Sequence, residues 1–382
     1  MEDESSPYAP IRLRRQSYFQ FARAVAQSGQ LVADGRISAS LHHIIERDLI
    51  TPQVELVMQG YRSGEIPPDA IGPIFAKQFS YSDWVPLVGQ YELCGRQIFD
   101  LHEALTELLR HTDTGECTLE DIHFPYPCIY IHFGKLLDVR QEFDSQEGTY
   151  EYMDGVFVAL TPWGTDGGER IKMGFSTVHE DGTGVMYPGL FFDLRPEERI
   201  LPVDQAIEAA LARRHAAHQA AHGATDAYQA MMSYVREADL EAADTLRQAA
   251  SLVVNALFYL ESLRDHLPPA GPGRDTPPTL VAKWAASNPR QRIKQRSALS
   301  AEGYAVVHLV GAEVESPSTT TATGTNRKVH WRRGHWRQQA YGERMSLRRR
   351  TWIKPVLVGA GDGMSTDLPG HVYVMGTSDH PQ

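Results

Sequence analysis

The chain is poor in cysteine: Cys94, Cys117 and Cys128 are the only three in 382 residues, and none sits in a C-x-x-C pair. An odd, sparse set of thiols builds no disulfide framework and fits a reducing compartment. Cys128 lies in an apolar, strand-like run and is expected to pack as a small hydrophobe. Long hydrophobic runs are also missing. The longest, Ser251 to Leu260, is closed by Glu261, Arg264 and Asp265 and falls well short of the roughly 20 apolar residues of a membrane span. It reads as a buried helix. The opening Met-Glu-Asp-Glu-Ser-Ser lacks the basic-then-apolar order of a secretory signal, so a cytoplasmic protein with no membrane contact is expected. There is no G-x-S-x-G, H-E-x-x-H or dinucleotide fingerprint, and no cofactor is expected. Gly164 to Gly168 has no Lys-Ser/Thr behind it, which leaves a hairpin turn rather than a phosphate loop.

With 42% hydrophobic residues the chain has ample material for a core. Its texture predicts an α+β protein: a helical N-terminal region, an antiparallel sheet, a long helical pair and a small C-terminal β-rich basic region. Residues 1–120 read as mostly helical, including Leu41 to Ile50. Asp100 to Arg110 is amphipathic, with Leu101, Leu105, Leu108 and Leu109 on one face and Asp100 placed to cap it. Residues 121–200 carry short β-branched and aromatic runs separated by turn signals, beginning with Cys128 to Phe133. Residues 201–266 return to helix. Residues 267–300 open with Leu-Pro-Pro-Ala-Gly-Pro-Gly and read as a linker. Residues 301–382 form the basic β-rich end, with a mobile loop expected over Ser316 to Thr325 and a last strand at His371 to Met375.

Charge is the most informative property. The formal net charge is −11, yet residues 327–354 hold ten Lys or Arg and one Glu. That leaves 27 bases against 47 acids elsewhere, so a body of −20 carries a segment of +9. The segment is also aromatic. Arginine supplies planar forks that match phosphate oxygens, and Trp331, Trp336, Tyr341 and Trp352 supply flat faces for base stacking. RNA or single-stranded DNA is the partner this combination points to, held by Arg332, Arg333, Trp336, Arg337, Arg348, Arg349, Arg350 and Lys354.

Two other readings use the same residues. A metal-independent ribonuclease of toxin type needs a base, an acid and cations around the phosphate. His330 and His335 would share the proton work, with Tyr341 as an alternative acid. Alternatively the patch is a protein–protein module, docking an acidic partner or a second copy of the chain. Against all three stands the alternation of a half-buried strand, which groups Val329, Trp331 and Arg333 on one face and His330 and Arg332 on the other. The tryptophans would then be core and the arginines paired with the acidic body.

The pattern His330, Gly334-His335-Trp336-Arg337, Tyr341-Gly342, Trp352-Ile353, Pro355 and Gly359 resembles a C-terminal signature of uncharacterised bacterial, plasmid and phage proteins. The resemblance covers under a tenth of the chain. It implies that these positions form a unit, and it implies no activity.

Other clusters carry less. His215, His218 and His222 share one helical face, but no Cys, Asp or Glu completes a metal site locally, and none is expected. His42-His43 with Glu46 and Asp48 reads as a solvated helix face. Arg12, Arg14 and Arg15 read as an exposed basic arm.

Overall fold

The computed structural model describes residues 6–27, 51–139, 151–163, 168–179, 191–219, 226–314, 319–320 and 330–358. The expected helix at 41–50, the His42-His43 cluster, most of the expected glycine turn at 164–168 and the last strand at 371–375 lie outside these residues.

The elements run in the order α1 (Ala9–Arg12), α2 (Ser17–Gln27), α3 (Thr51–Ser63), α4 (Pro68–Leu93), β1 (Ile98–Leu101), α5 (Glu103–Arg110), β2 (Thr112–Asp113), β3 (Cys128–Val139), β4 (Glu151–Trp163), β5 (Gly168–His179), β6 (Phe191–Leu194), α6 (Val203–Gln219) and α7 (Asp226–Ser262). There follow β7 (Gly271–Pro272), α8 (Pro278–Ala285), α9 (Pro289–Ala301), β8 (Val306–Val310), β9 (Thr319–Thr320), β10 (His330–Arg332), β11 (Gly334–Tyr341), β12 (Leu347–Ile353) and β13 (Val356–Val358).

The protein is α+β. A seven-stranded sheet of order β6-β5-β4-β3-β1-β8-β7 forms its centre. β3 shows why. Its side chains alternate between faces. Ile129, Ile131 and Phe133 enter one core with α5, α6 and the C-terminal half of α7. Cys128 and Tyr130 enter another with α4 and the N-terminal residues Tyr8 to Phe19. With both faces covered, the strand reads as a continuous apolar run. Burial also pushes the Cys128 thiol pKa well up, so this cysteine packs as a hydrophobe.

The sheet is mixed rather than purely antiparallel, because β1 pairs in parallel with both β3 and β8. It draws strands from residues 98 to 310 and so runs across the boundaries expected from texture. Asp100 is not a helix cap. It sits inside β1, fully buried, where it accepts hydrogen bonds from the Tyr8 hydroxyl at 2.8 Å and from Arg274 at 2.7 and 2.8 Å. The cap of α5 is His102, whose Nδ1 accepts from the Ala104 amide. Arg12 is likewise not on an exposed arm: it is buried and paired with Asp154 at 2.7 Å. Residues 278–301, inside the expected linker, form α8 and α9. Their prolines are helix starts, since Pro278 and Pro289 occupy first-turn positions where the missing N–H costs nothing.

Among the described residues, His132 and His308 are buried at the sheet. His132 packs its ring edge-on to Tyr8, and its Nδ1 has no hydrogen-bond partner. His308 stacks on Phe99 and donates from Nδ1 to the Pro268 carbonyl at 2.6 Å. Burial lowers the pKa of both. The unfolded chain therefore binds more protons around pH 6.5, and stability falls as pH drops through that value towards the folded-state pKa values. Asp204 and Asp275, whose carboxyl pKa values burial raises, act in the opposite sense at lower pH. A His132→Gln/His308→Gln variant isolates the rings. Its urea midpoint is expected to change less between pH 7.5 and pH 5.5 than that of the parent protein, and an equal change would contradict the assignment.

Candidate interaction surface

The basic segment folds as a hairpin with a fixed root and an exposed tip. β11 pairs antiparallel with β12, from His335 opposite Ile353 to Tyr341 opposite Leu347, and joins β2 in parallel through Gly334 and His335. Gly334 has to be small. A Cβ there would lie 2.6 Å from Pro355 Cδ and 2.7 Å from the Ile353 carbonyl.

The root is held by indoles. Trp336 is 6% exposed and stacks on Trp352 with ring centroids 6.1 Å apart. Its Nε1 donates to Asn255 Oδ1 at 2.8 Å, and Phe258 meets its ring edge-on. Asn255, in the last third of α7, donates to the carbonyls of Leu109 and Thr112. Trp352 donates to Thr112 Oγ1 at 3.0 Å and packs against Tyr259. Trp331 stacks on His111 at 4.2 Å. A hydrogen bond from His111 in turn keeps the Glu107 carboxyl pKa below its usual value. Trp336 is therefore sealed in the core, and Trp352 and Trp331 are largely covered. The stacking faces that a single-strand binder requires are not presented by these three.

The arginines divide. Arg350 is locked: its side chain is 12% exposed, it pairs with Asp121 at 2.9 Å and Glu261 at 2.7 Å, and it lies 4.3 Å over the Phe258 ring. Arg332, Arg337, Arg344, Arg348, Arg349 and Lys354 are exposed and have no carboxylate partner among the described residues. Arg333 is exposed, and its charge reaches Asp204. The reason is geometric. Arg348, Arg350 and Trp352 share the inward face of β12. Trp352 and Arg350 meet α7 at Tyr259 and Glu261; the helix ends at Ser262, and Arg348, nearer the tip, is exposed.

Of the proton-transfer candidates, His330 lies on β10 opposite Val358, and His335 and Tyr341 lie at the two ends of β11. Five residues lie between His335 and Tyr341, a span of about 20 Å at the usual rise, which keeps those two from meeting at one phosphate. The His215 to His222 cluster leaves the described residues partway along, and no group of metal-ligating side chains is present among the described residues.

The tip carries what charge counting misses. Tyr341, Met345 and Leu347 are 45%, 63% and 51% exposed, three large apolar side chains around one turn. Arg344 and Met345 hold φ of 54° and 58°, the left-handed region that costs a non-glycine residue of order 1–3 kcal/mol. Such strain persists where the surroundings fix it, often at binding sites.

This is the build of an α+β scaffold bearing a cationic, apolar-tipped hairpin packed at its root. The chain belongs to the AcrVA2-like family, the anti-CRISPR type V subtype A2 family, which it matches over residues 99–360. An anti-CRISPR family agrees with the bacterial and phage setting that the C-terminal signature implied. The crystal structure of AcrVA2 aligns with 92% of this chain and 96% of that chain, at 13% identity and a TM-score of 0.36. At that score the two are too far apart for position-by-position transfer. No curated protein matches the chain. No helix among the described residues is long and apolar enough to cross a membrane.

Proposed function

We propose that the chain inhibits a type V CRISPR system by binding a protein of that system, its effector, through the tip of the β11–β12 hairpin. Family membership supports the setting, and the composition of the tip carries the choice of surface. Tyr341, Met345 and Leu347 flanked by Arg344, Arg348 and Arg349 is the mixture of aromatic, Met and Arg side chains enriched in protein interfaces. Single-strand binding by base stacking would need exposed indoles, and here the indoles are packed into the root. The tip offers a shallow apolar centre with cationic surroundings, which suits an acidic-rimmed protein surface.

The test is direct binding of a purified type V effector, with and without its guide RNA, followed by an interference assay. Met345→Ser/Leu347→Ser is expected to weaken binding by about tenfold or more, the effect of losing one or two central contacts. Arg348→Glu/Arg349→Glu is expected to slow association and to weaken its salt dependence. Full binding by both variants would move the contact elsewhere on the chain. Absence of binding to any effector protein would remove the partner class.

A further inference from the structure

The helical hairpin α8–α9 presents a second surface, separate from the β11–β12 tip, and its chemistry differs. Residues 278–301 contain Lys283, Arg290, Arg292, Lys294 and Arg296 and no Asp or Glu. None of the five pairs with a carboxylate among the described residues. Arg292 donates to the Trp284 carbonyl at 3.3 Å and lies over the Trp284 ring, and Arg296 donates to the Gly95 carbonyl at 3.3 Å. Carbonyls accept these bonds without cancelling the charge. Elsewhere in the chain, Arg12, Arg170, Arg247, Arg274 and Arg350 all face carboxylates.

Packing does not explain α9. Leu299 is its one buried residue, and Ile293 is 72% exposed. Its helicity rests on its start: Pro289 in the first turn, and a reciprocal cap in which the Asn288 side chain accepts from the Gln291 amide and Gln291 Oε1 accepts from the Asn288 amide. Arg290 and Lys294 are four residues apart, as are Arg292 and Arg296. Like charges at that spacing are neighbours on a helix surface and repel. No acidic residue of the hairpin relieves them, so a polyanion is the missing complement.

We propose that α8–α9 binds the phosphate backbone of a nucleic acid. The cations lie on two faces of α9 with exposed Ile293 between them, and five cations against so little exposed apolar surface suit a line of phosphates better than a protein patch. The second helix begins with Arg290 and Gln291, both exposed, after a turn of three residues. In helix-turn-helix folds the start of the second helix is what reaches the nucleic acid. The guanidinium of Arg292 over Trp284 adds a flat cationic ledge of the kind on which bases stack.

The test is fluorescence anisotropy of the full chain with a labelled DNA duplex and a labelled RNA hairpin across a salt series, needing no CRISPR component. Its failure is therefore distinguishable from failure of the role proposed for the β11–β12 tip. Binding is expected to fall linearly in log–log form with salt. Lys283→Glu/Arg290→Glu/Lys294→Glu is expected to weaken it at least tenfold and to shrink the duplex slope by about 2.7, three phosphate contacts at about 0.9 each. Arg348→Glu/Arg349→Glu, at the hairpin tip, is expected to weaken it less than the α8–α9 variant does, and an equal or larger loss would place the site on the tip. Circular dichroism checks the helices, and Arg290→Gln/Lys294→Gln gives the same reading without charge reversal. No binding at low salt, wild-type binding by the neutral variant, or equal competition by polyglutamate would overturn the proposal, the last in favour of an acidic protein.

Discussion

Replacing Arg12 by Met is expected to lower the stability of the protein by about 3–5 kcal/mol, the usual cost of orphaning one member of a buried ion pair. Both side chains are almost fully buried and meet at 2.7 Å. Arg12 also donates to the carbonyls of Ser6 at 2.9 Å, Pro7 at 3.0 Å and Thr177 at 3.3 Å. Asp154 keeps one further donor, the Ser176 hydroxyl at 2.7 Å. Without the guanidinium, a carboxylate is left in the interior with a single hydroxyl for company. Urea denaturation checks the value. The Arg12→Met/Asp154→Leu double variant is expected to lose less than the two single losses added together, since removing both charges removes the penalty. Strict additivity would show that the two groups do not stabilise each other.

Trp336→Ala is the second large effect, about 3–5 kcal/mol for the emptied indole site. The Asn255 oxygen also loses its donor, for roughly a further 1–3 kcal/mol where water cannot reach it. Stacking on Trp352 and the edge contact with Phe258 vanish together. Tyr341→Ala, on the same strand but exposed, is expected to change stability by no more than about 0.5 kcal/mol. Thermal unfolding of the two variants separates root from tip. Similar losses in both would mean that the hairpin is not organised in this way.

Much of the scaffold could be read from residue order. β3 announces itself in Cys-Ile-Tyr-Ile-His-Phe, and Leu105, Leu108 and Leu109 are buried on α5 as their spacing implies. What failed to show has physical causes. β1 is four residues long and buried throughout, so it has no alternation to detect, and Asp100 looked like a cap. Pro277 and Pro278 looked like linker, because a proline that starts a helix and one that prevents a helix are the same residue. The cationic segment was visible as charge. Nothing local to Arg350 says that Glu261 and Asp121, far away in the chain, will claim it while Arg348 stays exposed. Asn255 gave a hint, as an amide inside the otherwise apolar stretch Leu252 to Leu260, but its partners on α5 and β11 are visible only in three dimensions.

The Tyr8 hydroxyl accepts from the amide of Arg274, a residue 266 positions further on, while donating to Asp100. A chain made from its N-terminus cannot close this cluster until some three-quarters of it has been synthesised. Contacts so distant in sequence go with slow folding. Until then Tyr8 and Asp100 wait for a partner that has yet to leave the ribosome, and the growing chain spends that interval with one side of its sheet unfinished.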